Sequence, residues 1–445
     1  MISLNKYEEK KKRLIAEFAE VKRLNKKVLL KKKTVSNLFR YGDRNKTDAA
    51  TISLSKFNNI INIDVKGKIL EVEGLVTYEK IVDYCLNYNL VPLVTPELKN
   101  ITIGGATVGI GIESTCYKYG FVHDGLVEVD VLTPNGDVLT CTRINKNKDL
   151  FNALGNSYGT LGYVLRAKIK LYDVKPYVHI KNIKFDNVKS FIDSMYKATT
   201  DPDVEFIEAL IFSKNELYLM LSKCVDKTPY LDDVYRGEIF YKLPRKKRDI
   251  YLTIKDYIFR YDPDWFWNFP ERPFYKLFRK IAPKGMRNSG FYTRYINWKK
   301  KFFNEKDEGK ERLIQDWEVP WDKAIELTNF ALNNVNLGKN PWLAVPIKVV
   351  SSATIYPLKK NQLYYNLGCY CYVDKVKGKE DYYYTKIMDK KCFALKGLKM
   401  LYSSTFISKK EFDNLYNGKK YTKLKKKYDP DSRFRYLYEK VVQRR

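Results

Sequence analysis

The chain has 445 residues, 44% hydrophobic and 15% aromatic, which is enough apolar material for a large packed core and for two or three domains. Its 82 lysine and arginine residues exceed its 52 acidic ones by a net charge of +30, which fits a solvated lysine-rich surface, an anionic ligand, nucleic acid or an anionic membrane. Seven scattered cysteines without a CxxC pair and only two histidines argue against a disulfide framework, a metal site and a Ser–His–Asp hydrolase.

The N-terminal stretch lacks an apolar core of signal-peptide length, and no window reaches the roughly 18 uninterrupted apolar residues of a membrane-spanning helix. We therefore expect neither a signal peptide nor a transmembrane helix. The cysteine usage favours a reducing compartment. Together these features predict a cytoplasmic protein that, if it contacts an intracellular membrane, does so peripherally.

The first third of the chain alternates between helical and strand patterns. Residues 5–30 predict a charged amphipathic helix, because large apolar residues recur every three to four positions. Residues 68–76 alternate like a strand, and Thr77 predicts the cap of the helix that follows. Residues 126–142 predict a hairpin whose turn is Pro-Asn-Gly-Asp. Residues 157–174 predict a glycine-broken turn that leads into a strand.

Beyond about residue 175 the pattern changes. Strand-like runs occupy 203–224 and, with one helix, 311–375, while the charged tail 409–445 is helical in pattern. Residues 240–305 interleave aromatic and basic side chains, a composition typical of an interfacial membrane element and also of a substrate-domain core under a basic surface. No recognised nucleic-acid-binding module accompanies this composition, so we expect no nucleic-acid partner.

A cluster of glycines marks the segment 95–120, where Gly104, Gly105, Gly109 and Gly111 fall within eight residues. Successive exposed amides in such a turn can bind a pyrophosphate. The spacing fits neither GxGxxG nor a P-loop, and no helix obviously begins at its end. On spacing alone, an anion site and a tight bulged turn between strands both remain open.

Residues 72–120 resemble the FAD-binding domain of the vanillyl-alcohol oxidase/p-cresol methylhydroxylase superfamily, through PELKNITIGG, GIGIES and KYG. Residues 149–171 are similar through DLF and GTLG. The likeness is greatest to the delta-24 sterol reductase group and continues in QDWEVP, PWLAVP and 398–428. The decaprenylphosphoryl-ribose oxidases are similar but more distant.

The resemblance implies an α+β fold: a two-part PCMH-type FAD-binding domain followed by an α+β substrate (cap) domain with an antiparallel sheet. We expect an N-terminal charged helix at 1–30, the FAD-binding domain at 31–175, the cap domain at 176–395, and a C-terminal segment at 396–445 that returns to the flavin site.

The resemblance also assigns site residues. A first loop would hold the FAD diphosphate through Arg40, Tyr41, Gly42 and Asp43, although it keeps only one glycine where the family has several. The second cofactor segment comprises Pro96, Glu97, Thr102, Gly104, Gly105, Gly109, Gly111 and Ser114. The turn lining the adenosine portion comprises Gly159, Gly162 and Val164.

Three residues are implied to lie at the reacting end of the flavin. Tyr402 matches a tyrosine that contacts the flavin in related oxidases, and Asp316 matches a strand that faces the substrate. Thr405 stands where the decaprenylphosphoryl-ribose oxidases have a lysine, which favours the sterol-reductase side. Ile112 and Glu113 stand where a tethering histidine would be sought, so we expect noncovalent FAD; His123 lies beyond that piece.

The resemblance thus implies an FAD-dependent oxidoreductase that reduces an isolated C=C bond of a sterol-like lipid with electrons from NADPH. One alternative is an FAD oxidase or dehydrogenase of an alcohol or sugar. Another is a non-catalytic, basic, membrane-binding flavoprotein. The expected partners are a lipophilic small molecule and, through 240–305, a membrane surface; the sequence leaves the oligomeric state open.

Overall fold

The computed structural model describes residues 1–24, 28–31, 50–235, 239–264, 273, 277–278, 281–303 and 309–443. The described residues form an α+β fold around one sheet of six strands and one of eight, which confirms the predicted fold class. A further two-stranded sheet lies near the N-terminus. The predicted domain boundaries at 30, 175 and 395 stay predictions.

The N-terminal helix is shorter than its sequence pattern predicts. α1 (Leu4–Arg23) begins at Ser3, whose side chain accepts a hydrogen bond from the amide of Lys6. Residues 28–30 are wrongly predicted as helix: they belong to β1 (Val28–Lys31), which pairs in parallel with β2 (Ala50–Ser53). Three consecutive apolar residues, Val-Leu-Leu, suit a strand better than one face of a helix.

The six-stranded sheet has the order β3-β4-β8-β6-β7, with β5 also on β8, and its pairs are antiparallel. Its strands are β3 (Ile60–Asp64), β4 (Ile69–Glu73), β5 (Leu90–Pro92), β6 (Leu126–Leu132), β7 (Val138–Thr142) and β8 (Tyr163–Asp173). Its helices are α2 (Tyr78–Cys85), α3 (Ile103–Val108), α4 (Cys116–Tyr119) and α5 (Lys148–Asn152). The hairpin β6–β7 and the cap of α2 by Thr77 are confirmed.

α1 is fixed to this sheet by buried polar contacts. The hydroxyl of Tyr7 donates to Asp130 on β6 at 2.7 Å. Lys10 forms an ion pair with Glu73 on β4, also at 2.7 Å. Arg166 on β8 pairs with the same Asp130 at 2.9 Å, so α1 is linked to β4, β6 and β8 by polar and charged side chains.

The eight-stranded sheet is antiparallel, in the order β12-β9-β11-β10-β14-β15-β13-β16. Its strands are β9 (Tyr177–Phe185), β10 (Phe206–Ser213), β11 (Glu216–Val225), β12 (Asp249–Thr253), β13 (Lys310–Pro320), β14 (Trp342–Lys348), β15 (Leu363–Asp374) and β16 (Leu398–Lys399). Its helices are α6 (Val188–Ala198), α7 (Ile254–Ile258), α8 (Ser289–Phe303), α9 (Ala324–Asn334) and α10 (Tyr383–Ala394). Cys369 and Cys371 are buried on β15, as packing residues would be.

The C-terminal segment contains α11 (Lys409–Leu415), α12 (Gly418–Tyr428) and a π-helical turn (Glu439–Gln443). It packs back on the first sheet's domain, where Lys427 pairs with Asp149 at 2.7 Å. One buried apolar cluster runs from Val131 on β6 through Ile180 on β9 to Leu437 near the C-terminus. The two sheets and the C-terminal segment therefore share a core, and the candidate site lies where they meet.

Candidate functional site

The glycine segment is a short helix and not the strand-to-strand turn considered from its spacing. Thr102 begins α3 and accepts a hydrogen bond from the amide of Gly105 at 3.2 Å. Gly104 packs directly against the sheet, since its amide donates to the carbonyl of Gly74 at 2.8 Å and an added Cβ would lie 2.7 Å from that oxygen. An added Cβ on Gly105 would meet only the Thr102 hydroxyl, at 3.0 Å. Gly105 therefore borders open space, and Gly104 serves packing.

The end of α3 is joined to the turn that precedes β8. The carbonyl of Gly109 accepts from the amide of Asn156 at 2.9 Å, and that of Val108 accepts from the amide of Tyr158 at 2.7 Å. Within the turn, Gly159 has φ +75°, a conformation that favours glycine. The structure thus brings the two predicted cofactor segments into direct contact.

The remaining residues of the two segments are close-packed. An added Cβ on Gly111 would lie 2.6 Å from Val122 and 3.5 Å from Pro96, and one on Gly162 would lie 2.8 Å from the carbonyl of Leu132. Val164 is buried, and its carbonyl lies 3.2 Å from an added Cβ on Gly104. These residues shape the wall rather than present side chains.

Two lysines of the C-terminal segment hydrogen-bond to this turn and fix its position. Neither was identified from the sequence. Lys425, buried on α12, donates to the carbonyls of Thr160 at 2.9 Å and Phe434 at 2.8 Å, and it pairs with Asp429 at 2.5 Å. Lys440 donates to the carbonyl of Tyr158 at 2.6 Å. The signal available in the sequence was a lysine on the same helical face as Tyr421 and Tyr428.

A buried ion cluster joins the glycine segment to the cap sheet. Arg260 pairs with Glu113 at 2.8 Å and with Glu208 on β10 at 2.6 Å. Burial raises the pKa of Glu113, and the positive charge of Arg260 opposes that rise. The carbonyl of Ser114 accepts from the amide of Ile207 on β10 at 3.0 Å, so a backbone hydrogen bond also connects the glycine segment to the eight-stranded sheet.

Ser114 and Glu97 present different polar groups at this interface. The Ser114 hydroxyl is 3.2 Å from the hydroxyl of Tyr257, which donates to it, so it is already engaged. Glu97 is half-buried, and burial and then the charge of Glu113 raise its pKa well above its usual value. The charge of Asp316 raises it further, which places Asp316 and Glu97 in one electrostatic neighbourhood. Their predicted cofactor contacts stay predictions.

Asp316 lies on β13 and is buried. The hydroxyl of Tyr402 donates to its Oδ2 at 2.5 Å, so the structure brings together two of the predicted catalytic residues. Burial raises the pKa of Asp316 to about 6, against the opposing hydrogen bonds from Tyr402 and Asn366. Gly368 lies opposite on β15, and a Cβ there would be 2.1 Å from Oδ1 of Asp316.

Thr405 does not join this pair among the described hydrogen bonds. It is buried, and its hydroxyl donates to the carbonyl of Ser403 at 3.4 Å within its own loop. That loop is fixed at the carbonyl of Ser404, which accepts from Lys399 at 2.6 Å and from Gln315 at 3.1 Å. Lys399 therefore positions the Tyr402 loop, a role that no sequence motif indicated.

An apolar wall adjoins the Asp316–Tyr402 pair. Tyr402 and Tyr370 pack against a buried cluster of Leu98, Ala282, Tyr292 and Ile314. Three further aromatic side chains of the 240–305 segment join it, namely Phe278, Phe291 and Tyr295. The polar pair thus adjoins a buried apolar cluster.

The residues present fit a flavin dinucleotide. Gly105 leaves room that a Cβ would occupy, and two buried polar atoms near α3, Thr107 Oγ1 and Asn156 Oδ1, have no hydrogen-bond partner among the described residues. The first-loop prediction, Arg40 to Asp43, lies outside the described residues. Within the described part of the chain we find no cluster of metal-ligating side chains and no helix long and apolar enough to cross a membrane.

His123 is buried. Both ring nitrogens lack a hydrogen-bond partner among the described residues, and the ring stacks on Phe121 with 5.4 Å between centroids. Burial lowers its pKa, so it is held as a neutral ring. It lies in the helical turn before β6 and is packed inside.

Comparisons with known proteins bear on the same segments. Residues 14–142 match the FAD binding domain family. Delta(24)-sterol reductases of Macaca fascicularis and Homo sapiens are each 24% identical to this chain over 401 residues, which cover 86% of it and 76% of each relative. The delta(24)-sterol reductase of Pisum sativum is 32% identical over 187 residues, which cover 40% of this chain and 33% of that protein.

Proposed function

We propose that the chain is an FAD-dependent oxidoreductase that reduces an isolated C=C bond of a sterol-like lipid, because residues 14–142 match the FAD binding domain family and most of the chain is similar to delta(24)-sterol reductases. The observation that carries this proposal is the buried Asp316–Tyr402 pair at the edge of an apolar wall. The electrons would come from NADPH through noncovalently bound FAD.

The glycine segment and the 156–162 turn would hold the cofactor. Gly105 leaves open space for a diphosphate, and Gly159 and Gly162 line the turn beside it with backbone alone. Arg260 keeps the segment against the cap sheet through Glu113. When bound, FAD supplies hydride transfer.

The chain's own residues would supply the proton and the environment. Reduction of a C=C bond adds a hydride to one carbon and a proton to the other. Asp316, whose pKa is raised to about 6 by burial, donates its proton to the second carbon, directly or through the Tyr402 hydroxyl. The apolar wall of Leu98, Tyr292 and Ile314 binds the hydrocarbon and excludes water.

One observation favours oxidation of an alcohol as a second candidate. With a pKa of about 6, Asp316 is mostly a carboxylate at neutral pH, and it already accepts a hydrogen bond from a hydroxyl. A carboxylate in that position could accept the proton of a substrate alcohol. The same pair would then act as a base.

A redox experiment separates the two candidates. Purified, flavin-loaded protein is mixed anaerobically with NADPH and the visible flavin absorbance is followed; bleaching, then recovery on addition of a sterol with an isolated side-chain double bond, is the expected result. Asp316→Asn should bleach normally and recover slowly. Bleaching by an alcohol without NADPH would overturn the reductase proposal and support the second candidate.

Peripheral membrane contact through residues 240–305 is also a proposal. Three apolar side chains of this segment are exposed in the structure, Leu277 by 58%, Ile281 by 69% and Trp298 by 51%. Exposed apolar and basic residues together favour an anionic lipid surface. Ile281→Ser with Trp298→Ser should reduce sedimentation with phosphatidylserine vesicles, whereas Ile144→Ser, at a more exposed site outside the segment, should not.

A further inference from the structure

A second buried carboxyl lies beside Asp316 and has no part in the proposed chemistry. Glu318 is two residues further along β13, so both side chains project from the same face of the strand. It is fully buried. A carboxyl group in such surroundings is costly to ionise unless hydrogen bonds compensate.

Two donors hold Glu318. Asn366, opposite it on β15, donates through Nδ2 to Oε1 at 2.8 Å, and the hydroxyl of Tyr356 donates to Oε2. The same Asn366 amide also lowers the pKa of Asp316 by hydrogen bonding. One amide therefore serves both carboxyls, which makes them a pair and not two independent sites.

The groups that face the pair are neutral or acidic. Those acting electrostatically on or with Asp316 are Tyr402, Tyr370, Cys369 and Glu97. Those acting with Glu318 are Tyr356, Tyr416, Cys392 and Cys116. Lys399 on the adjoining β16 is committed to Asp389 at 3.0 Å and to the Ser404 carbonyl.

These surroundings determine the pH at which each of the two carboxyls loses its proton. Burial and then the charge of Asp316 raise the pKa of Glu318 to about 8, although Tyr356 and Asn366 oppose the rise. The pKa of Asp316 is about 6. Two interacting carboxyls in a dry site lose their protons in two steps that belong to the pair.

We propose that Glu318 is a positioning residue for Asp316: the two carboxyls share Asn366 and act as one buried acid pair that keeps a proton at neutral pH. Above about pH 6 that proton lies on Glu318 and returns to Asp316 for each transfer, so the pair still supplies an acid where an isolated Asp316 would already have lost its proton. This inference rests on the proposed role of Asp316 as the acid.

The test compares pH profiles of Glu318→Gln and wild type. For reoxidation of the reduced flavin by an olefinic sterol, the wild-type rate should fall above about pH 8 and that of Glu318→Gln above about pH 6. At pH 7 the variant should be about tenfold slower, and at pH 5 equal. Equal profiles, or a loss of rate that is uniform across pH, would overturn the proposal.

Glu311→Gln is the matched control. Glu311 is buried on the same strand but on the opposite face, where it accepts from the amide and the hydroxyl of Thr385 at 2.9 Å each. It should retain the wild-type profile. If Glu311→Gln shifts the profile as Glu318→Gln does, the effect belongs to the strand and the proposal fails.

An infrared titration decides the matter without turnover. Difference spectra between wild type and Glu318→Gln should contain the carbonyl stretch of a protonated carboxyl that disappears near pH 8, and Asp316→Asn should move that step to lower pH by removing the neighbouring charge. If olefins fail to reoxidise the reduced flavin of the wild-type protein, the proposed function is wrong, and the acid pair is not affected. If no protonated carboxyl disappears near pH 8 in the infrared titration, the acid pair is wrong, and the proposed function is not affected.

Discussion

The hydroxyl of Tyr402 donates a 2.5 Å hydrogen bond to Oδ2 of Asp316, linking residues 86 positions apart in the chain. This bond lowers the pKa of Asp316 against the stronger effect of burial. Tyr402→Phe should therefore raise the pKa of Asp316 above about 6, and the fall of the reoxidation rate at high pH should begin at a higher pH. Stopped-flow measurements of flavin reoxidation at a series of pH values test this shift.

Tyr365→Phe is the control for that prediction. Tyr365 is buried on β15, on the face opposite Gly368, and its hydroxyl interacts with Thr328 at 3.0 Å. Removing this hydroxyl should leave the profile in place. A Tyr402→Phe profile that coincides with wild type would mean that the hydrogen bond does not tune Asp316.

Gly368→Ala should displace the Asp316 carboxyl. The new Cβ would lie 2.1 Å from Oδ1, so the side chain must rotate and its bond to Tyr402 must lengthen or break. Misplacement by about 1 Å can cost about a hundredfold in rate, and we expect a loss of that order in reoxidation with flavin content unchanged. Gly285→Ala, where a Cβ meets nothing within 4 Å, should be neutral. A fully active Gly368→Ala protein would remove Asp316 from the reacting site.

Substitutions at Gly104 and Gly105, the two adjacent glycines of α3, should have different effects. Gly105→Glu places a carboxylate in the open space proposed for the diphosphate, and it should lose flavin more completely than the uncharged Gly105→Gln. Gly104→Ala forces a Cβ to 2.7 Å from a backbone carbonyl and should destabilise the fold by about 1–3 kcal/mol. Flavin-to-protein absorbance and thermal unfolding separate the two effects. Equal flavin content in Gly105→Glu and Gly105→Gln would place the diphosphate elsewhere.

The ionised Asp316 carboxylate should lower the free energy of unfolding at neutral pH. Its pKa is raised by folding from 3.8 to about 6, so the stabilisation it gives is complete below about pH 4 and is lost as pH rises through about 6. The loss corresponds to about 3 kcal/mol. Asp316→Asn should show a correspondingly smaller decline of the unfolding free energy between those pH values in urea titrations. A difference between the two proteins that stays constant with pH would contradict the raised pKa.

Arg260 should matter far more to stability than a surface arginine in an ion pair of similar length. Arg260→Met leaves Glu113 and Glu208 buried and unpaired, which should cost about 3–5 kcal/mol. Arg245 pairs with Glu216 at 2.6 Å nearer the surface, and Arg245→Met should cost about 1 kcal/mol or less. Similar losses in the two variants would show that the interface cluster does not hold the domains together.

Local sequence patterns predicted most of the elements. The β6–β7 hairpin, the capped start of α2 and the long strands β13 and β15 follow from alternation, turn residues and capping residues that act within a few positions. The sequence missed the strand at 28–31 and the short helix at Gly104, because the first forms by pairing with β2 and the second packs on Gly74, which follows β4.

By itself the sequence predicted the kind of cofactor domain through its resemblance to a known family, because the motifs that carry the resemblance, the glycine segment and the GTLG turn, are short-range features. Only the tertiary structure decided that Tyr402 meets Asp316, that Asn366 meets Glu318, and that Lys425 secures the turn at Thr160. These contacts join residues dozens to hundreds of positions apart. Their geometry and the resulting pKa values depend on burial in a core that both sheets and the C-terminal segment build together, which no local pattern encodes.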